Sequence, residues 1–423
     1  AAPATRDIGH SADPPSTPRN RGVVKYRDPL PNGVQTCNGA SMASVEPKFK
    51  RGVTDARDPA TAIREIHAAV FDPDAELTIL FCAPTYDIAA LGAEIHAAFG
   101  DAPVIGCTTA GEITPFGYRD GAITGVSIGG AGFTIRTVRI DGLANFEFAR
   151  GDAAVNEVVA SLRKAGVAPT GRNSFGFLIS DGLSMQEEGL VASIYRNLGT
   201  IQLFGGSAGD GTRFERTHIF HDGAFRTDCA VFTLVHTVFP FRVFKTEHFV
   251  EDAEKMVVTK ADLAKRIVTE INGEPAGREY ARVVGLEVDS LTPFIFAQHP
   301  VVVRVGGTTH VRSIQKVNDD ESLTFFCAID EGIVLTVARG VDMVDDLIHA
   351  FDQVRSEIGP PSLVLGCDCI LRHLEADQTG ITDRIGEVMR ANNVIGFATY
   401  GEQYNAMHVN QTFTGVAIGR PNG

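Results

Sequence analysis

Gly106-Cys107-Thr108-Thr109-Ala110-Gly111-Glu112 and Gly396-Phe397-Ala398-Thr399-Tyr400-Gly401-Glu402 share their glycines and closing glutamate at a constant offset of 290 residues. The offset survives further along, where Gly125-Val126-Ser127-Ile128-Gly129 faces Gly415-Val416-Ala417-Ile418-Gly419, and Val104-Ile105 faces Val394-Ile395 upstream. A looser third copy reads Leu203-Phe204-Gly205-Gly206-Ser207-Ala208-Gly209-Asp210. Repetition of a strand, a glycine turn and a strand behind an amphipathic segment implies one supersecondary unit used several times. The interval is too long for a stacked solenoid, so duplicated subdomains are expected. The 106–130 and 396–420 stretches are expected to superpose without insertion.

Outside these stretches, helix and strand signals alternate. Asp58-Pro59 supplies an N-cap and a first-turn proline ahead of Ile63, Ile66 and Val70, and the ordered protein is expected to begin near there. A second helix runs from Tyr86-Asp87 to a stop at Gly100, and Ser184-Met185-Gln186-Glu187 has the form of a capping box. Helices are also read over 261–272, ending at Gly273, and over 342–358, ending at Gly359-Pro360. Strands are read at 77–82, 122–128, 175–179, 230–235, 301–305, 323–328 and 334–337, several joined by short turns such as Asn318-Asp319-Asp320. Crossover helices mixed with hairpins predict an α+β fold with mixed, largely antiparallel sheets.

Whole-chain properties narrow the function classes. The 423 residues carry a net charge of −14, which argues against a nucleic-acid surface. The longest apolar stretch, 229–244, is broken by His236, Pro240 and Arg242, so no membrane span is predicted. Residues 1–41 hold six prolines and no apolar periodicity or h-region, and are expected to be a disordered extension that contributes nothing to stability, with Met42 as the natural start. Seven cysteines scattered through apolar runs fit a reducing cytoplasm. A boundary near 245–260 divides the chain into an extension over 1–50, an N-terminal domain over 51–248 and a C-terminal domain over 249–423.

The chemistry-bearing residues each have two readings. Gly111-Glu112 and Gly401-Glu402 either place carboxylates in a pocket between the repeats or form turns whose carboxylates cap local N–H groups. The glycine-rich 205–211 stretch lacks the Lys-Ser/Thr end of a phosphate loop and reads as a sharp turn. His248, His299, His310 and His408 all lie beside apolar residues, as structural histidines or as ligands. Cys367, Cys369 and His373 have the donor types of a soft-metal site, with zinc the candidate ion. No GxSxG, HExxH or CxxC pattern occurs, and no nucleophile–base pair accompanies the glutamates, so no enzyme is predicted.

The 104–113 string resembles the hallmark of the N-terminal FIST sensory domain. Cys369-Ile370-Leu371-Arg372, with 396–402 behind it, resembles the Cys-x-x-Arg and Gly-Glu hallmarks of the FIST C-terminal domain. The resemblance spans about residues 50–420. The strings at 81–87, 118–121, 245–249, 313–317, 366–372, 401–405 and 407–415 further resemble the bacterial nitric-oxide-sensing haemoproteins (NosP). That likeness implies haem b as cofactor, nitric oxide as ligand, and regulation of a separate histidine kinase or a cyclic-di-GMP enzyme (diguanylate cyclase or phosphodiesterase), as in biofilm control. A homo-oligomer is compatible with it. On this reading His248 is the first choice of axial ligand, ahead of His408, His299 and His310, because it follows the apolar 231–244 stretch at the join of the halves. Lys245 then meets a propionate, and Gly111, Glu112, Gly401, Glu402 and Arg372 line the ligand pocket. The alternative is a FIST module that binds an amino acid or similar metabolite without haem.

Overall fold

Three copies of one unit make the body of the molecule. The computed structural model describes residues 46–305 and 308–421, and the expectations for residues 1–41 lie outside them. Copy one runs β1 (Lys48–Thr54), α1 (Pro59–Val70), β2 (Ala75–Cys82), α2 (Ile88–Phe99), β3 (Val104–Thr108), β4 (Glu112–Thr114), β5 (Gly117–Arg119) and β6 (Ile123–Gly129). Copy two runs β7 (Phe133–Asp141), α3 (Phe148–Lys164), β8 (Ser174–Ser180), α4 (Glu187–Tyr195), β9 (Gln202–Ser207), β10 (Ile219–His221), β11 (Ala224–Arg226) and β12 (Cys229–Thr237). Copy three opens with β13 (Phe241–Thr246) and is then interrupted.

The interruption is a separate sheet, which we call the cap. It comprises β14 (Phe249–Asp262), β15 (Ile267–Ile271), β16 (Glu274–Pro275), α5 (Ala276–Val284), α6 (Pro293–Gln298), β17 (Val301–Val305), β18 (Thr308–Arg312), β19 (Ile314–Val317), β20 (Leu323–Phe325) and β21 (Val334–Gly340). Copy three then resumes with α7 (Met343–Ile358), β22 (Leu363–Cys369), α8 (Ile370–Gln378), α9 (Thr382–Ala391), β23 (Val394–Thr399), β24 (Glu402–Tyr404), β25 (Met407–Val409) and β26 (Phe413–Ile418).

Each copy gives four strands to its own sheet and its hairpin to another. The sheet orders are β1-β6-β2-β3-β10-β11, β7-β12-β8-β9-β24-β25 and β13-β26-β22-β23-β4-β5. Thus copy two completes the sheet of copy one, copy three that of copy two, and copy one that of copy three, which closes a ring. Within each sheet one pair is parallel and the rest antiparallel. The inner faces of the three sheets share one core, where Phe81 stacks on Phe397 at 4.6 Å and Phe177 on Phe204 at 4.9 Å. Each sheet is backed by its own helices over a separate apolar cluster, and the cap has a core of its own.

The glycines explain how the parallel pairs approach so closely. A Cβ on Gly106, Gly205 or Gly396 would fall inside the carbonyl oxygen of Leu80, Leu178 or Gly366 on the neighbouring strand. These are equivalent positions, so Gly205 anchors the third copy in the same frame as the other two.

The α+β class and most elements match the sequence reading, with four corrections. Regular structure is already present at Lys48, ahead of the start expected near Asp58 or after residue 50, because β1 pairs along its whole length with β6. Residues 261–272 are the end of β14, a short 3-10 turn and β15, not a helix. Arg266 adopts φ 56°, which breaks any helix there, while Val268 and Ile271 face the cap core. The capping box at Ser184 does not form: Met185 is left-handed at φ 55° and α4 starts at Glu187 with no side-chain cap. The boundary expected at 248/249 marks where the chain leaves the ring for the cap, but the chain returns after residue 342.

Candidate functional site

The glycine turns converge where the three parallel pairs end. Their backbones bond around the ring: Ala110 N donates to Ala398 O at 2.9 Å, Gly209 N to Thr108 O at 3.0 Å, and Tyr400 N to Ser207 O at 3.2 Å. Beside them the Glu112 carboxyl accepts from Ala122 N at 3.0 Å and from the hydroxyl of Thr109. Glu402 accepts from Thr412 N at 3.2 Å and from the hydroxyls of Thr399 and Thr412. Copy two has Ile219 at that position, and Asp181 takes over by accepting from Asp228 N at 2.6 Å. Burial raises both Glu112 and Glu402 to about 8.

His248 lies in a buried polar chain at the root of the cap. Its Nδ1 is 2.7 Å from Arg372 Nη1 and its Nε2 is 3.0 Å from Glu375 Oε2. A guanidinium only donates, so Nδ1 accepts and Nε2–H donates to Glu375, which fixes a neutral tautomer. Burial lowers the His248 pKa, which favours the same neutral form. Arg372 Nε donates to Asp368 Oδ1 at 2.8 Å, and the Tyr118 hydroxyl, from the hairpin of copy one, donates to the same carboxylate.

These contacts bear on haem. Both ring nitrogens of His248 are engaged by protein, so the arrangement does not fit an iron ligand. Lys245 pairs with Glu247 at 2.7 Å, and His299 is a half-buried C-cap whose carbonyl accepts from Tyr280. His310 and His408 are buried, and burial lowers each to about 4. Among the described residues neither nitrogen of His408 finds a hydrogen-bond partner, yet its ring is packed against Gly401. Among the described residues no three His, Cys, Asp or Glu side chains are placed to share a metal ion. Cys367 and Cys369 are buried in separate apolar clusters, and burial holds both thiols well above their usual pKa.

A cavity of about 700 Å³ opens between ring and cap, with Leu183, Met185, Arg213, Phe214 and Tyr400 on the ring side and Lys265, Arg266, Lys316 and Phe326 on the cap side. Phe214 stacks on Tyr400 at 4.5 Å and lies 5.8 Å from Phe326. Its loop is fixed by Asp210, whose carboxylate accepts from Phe214 N, Glu215 N and Arg216 N at 2.8–2.9 Å and from the Tyr400 hydroxyl. Arg266 reaches across to the ring, with Nη2 at 2.6 Å from Glu187 and 2.7 Å from Glu188. One cation faces two carboxylates there, and burial raises Glu187 to about 7.

Backbone strain concentrates in the same place. Among the described residues, ten non-glycine residues have positive φ, and five of them are Asn or Asp, which tolerate it. Met185, Phe214 and Arg266 are bulky, adopt φ of 54–56°, and all three line this cavity. Each such residue costs roughly 1–3 kcal/mol and persists only where its surroundings over-determine it.

A second cavity, of about 400 Å³, contains Gly111 and Glu112 beside Asp120, His373 and Arg213. Gly401, Glu402 and Arg372 line neither cavity. The residues that sequence reading missed, Arg213 and Phe214, sit on a loop that copy two inserts between Gly209 and Ile219. Departure of the third copy from the repeat was the available signal.

Residues 76–274 match the FIST N domain and residues 276–405 match the FIST C domain. The junction between the matches falls inside the cap, between β15 and α5. No curated protein matches the chain.

Proposed function

Since the chain belongs to the FIST-domain proteins, whose domains are sensory modules of signal transduction, we propose that it senses a small metabolite in the cavity between ring and cap. The observation that carries this reading is the gathering of Met185, Phe214 and Arg266, three strained bulky residues from two parts of the molecule, around one cavity. Sites between two lobes suit a sensor, because occupancy changes how the lobes meet. The signal then passes to a separate partner, for which a histidine kinase or a cyclic-di-GMP enzyme is the reading carried by resemblance.

Haem is the second reading, and His408 is the residue that favours it, as a neutral buried imidazole with both nitrogens free of partners among the described residues. Titration with hemin separates the two. The metabolite reading expects no Soret shift that depends on a histidine; a one-to-one Soret band lost in His408→Ala would overturn it.

Met185→Gly tests the cavity directly. Glycine accepts φ 55° without strain, so the melting temperature is expected to hold or rise, by about 1 kcal/mol in stability. Binding of any metabolite that raises the wild-type melting temperature is expected to weaken. A lower melting temperature with unchanged ligand binding would mean that Met185 serves the fold alone.

A further inference from the structure

The cavity between ring and cap has a charge unlike that of the chain. The chain has 52 acidic residues against 38 lysines and arginines. The cavity wall has Arg213, Lys265, Arg266 and Lys316 against one acid, Glu187, which is already held by Arg266. Two of these cations, Arg213 and Lys316, have no carboxylate partner among the described residues, and a third, Lys265, has an exposed one. The guanidinium of Arg213 meets, among the described residues, only backbone carbonyls, Asp210 O at 3.1 Å and Pro84 O at 3.2 Å. Among the described residues Lys316 has no carboxylate within ion-pair distance, and Lys265 has only the exposed Asp262, at 3.2 Å. A cleft lined by one sign of charge concentrates the opposite ion, the more so beside low-dielectric walls.

Those walls are aromatic and apolar. The Phe214–Tyr400 stack, Phe326 and Leu183 belong to one apolar cluster, and Met185, 44% exposed, lines the same cavity. Burying a flat apolar body there while leaving a charged group at the cationic end satisfies both halves of the wall.

We infer that the ligand is an organic anion with a flat apolar body, its carboxylate, sulfonate or phosphate group taken between Arg213 of the ring and Lys316 and Lys265 of the cap. This rests on the cavity reading above and adds the ligand class. Cations from both lobes on one anion make occupancy a clamp: the bound ligand ties the cap to the ring beside the existing Arg266–Glu187 bridge. Without the anion, Arg213 and Lys316 lack a shared counter-ion, and the tie between the lobes is left to the Arg266 bridges.

The test uses two dyes of one aromatic framework, 8-anilinonaphthalene-1-sulfonate and the neutral N-phenyl-1-naphthylamine, titrated into the full chain. The sulfonate is expected to bind at least tenfold tighter, and to weaken as salt is raised. Arg213→Gln and Lys316→Gln are each expected to cost about tenfold for the sulfonate and nothing for the neutral dye. Met185→Gly is expected to weaken both. If both dyes bind equally and Met185→Gly weakens both, the anionic class is overturned while the cavity reading stands. If neither binds, or if binding ignores all three substitutions, the proposal fails; a metabolite whose binding still responds to Met185→Gly would keep the cavity reading alive.

Discussion

Glu112 and Glu402 were legible as a pair, and the two readings of that pair are separated by what their oxygens meet. Each carboxyl accepts the backbone N–H ten residues on, at Ala122 and Thr412, and a threonine hydroxyl three residues back. Burial holds both at about 8, far above the value of about 4.3 for a free glutamate. The folded protein therefore binds protons that the unfolded chain releases. Their contribution to stability is complete below about pH 4 and is lost as pH rises through about 8, and every tenfold difference in proton affinity between the two states is worth about 1.4 kcal/mol. Glutamine keeps the accepting oxygen without the charge. The parent is thus expected to lose stability between pH 5 and 8, and the Glu112→Gln/Glu402→Gln pair to flatten that fall, measured by urea denaturation. Parallel curves would mean that both groups ionise freely in the fold. His248 was harder to read. Its apolar neighbours suggested a ligand, but the residues that engage it, Arg372 and Glu375, are over a hundred positions away and leave no trace in local sequence.

At the scale of elements, legibility followed local chemistry. Helices α1, α2 and α7 were readable from Asp58, Asp87 and Asp342, each of which accepts from the first turn as expected of an N-cap. The stretch 261–272 was misread because its apolar residues fit either period, and only the left-handed Arg266 decides against a helix. The hairpin exchange could not be read at all, since β4 and β24 look alike whichever sheet they join. The shared glycines are the part of the element that sequence did expose. Gly396 lies under the Gly366 carbonyl of β22 with no room for a methyl group, and backbone rather than a side-chain end is the obstacle. Gly396→Ala must part the strands and is expected to cost at least about 3 kcal/mol by chemical denaturation. A loss under about 1 kcal/mol would show that the parallel pair separates freely and that the glycine is not what sets its spacing.

For the whole molecule, the repeat predicted duplication, and the glycine of the third copy completes a ring whose three sheets close on one another. The cap was invisible as a separate body because it begins and ends inside copy three. Its two connections lie side by side: Val341 N donates to His248 O at 2.7 Å, and Phe249 pairs with Gly340. Among the described residues no cap strand enters a ring sheet, and the cap has its own core. These facts predict that the ring survives without it. Joining Phe249 to Gly340 through Asn-Gly, the residues of a type I′ turn, replaces the cap with a hairpin that the existing pair already favours. The shortened chain is expected to melt cooperatively with its sheet signal intact. It forgoes the Arg266 bridges to Glu187 and Glu188 and the bond from Ala328 N to Glu188, worth a few kcal/mol together, at roughly 2–4 °C for each kcal/mol. It also uncovers the apolar patch of Ile370, Leu371 and Tyr400 that the cap shields with Ala297 and Phe326, so lower solubility is expected as well. Binding in the cavity must disappear, since half its wall is gone. A shortened chain that is soluble and folded yet binds the same ligands would place the sensory site elsewhere on the ring, and one that fails to melt cooperatively would show that ring and cap fold as a single unit.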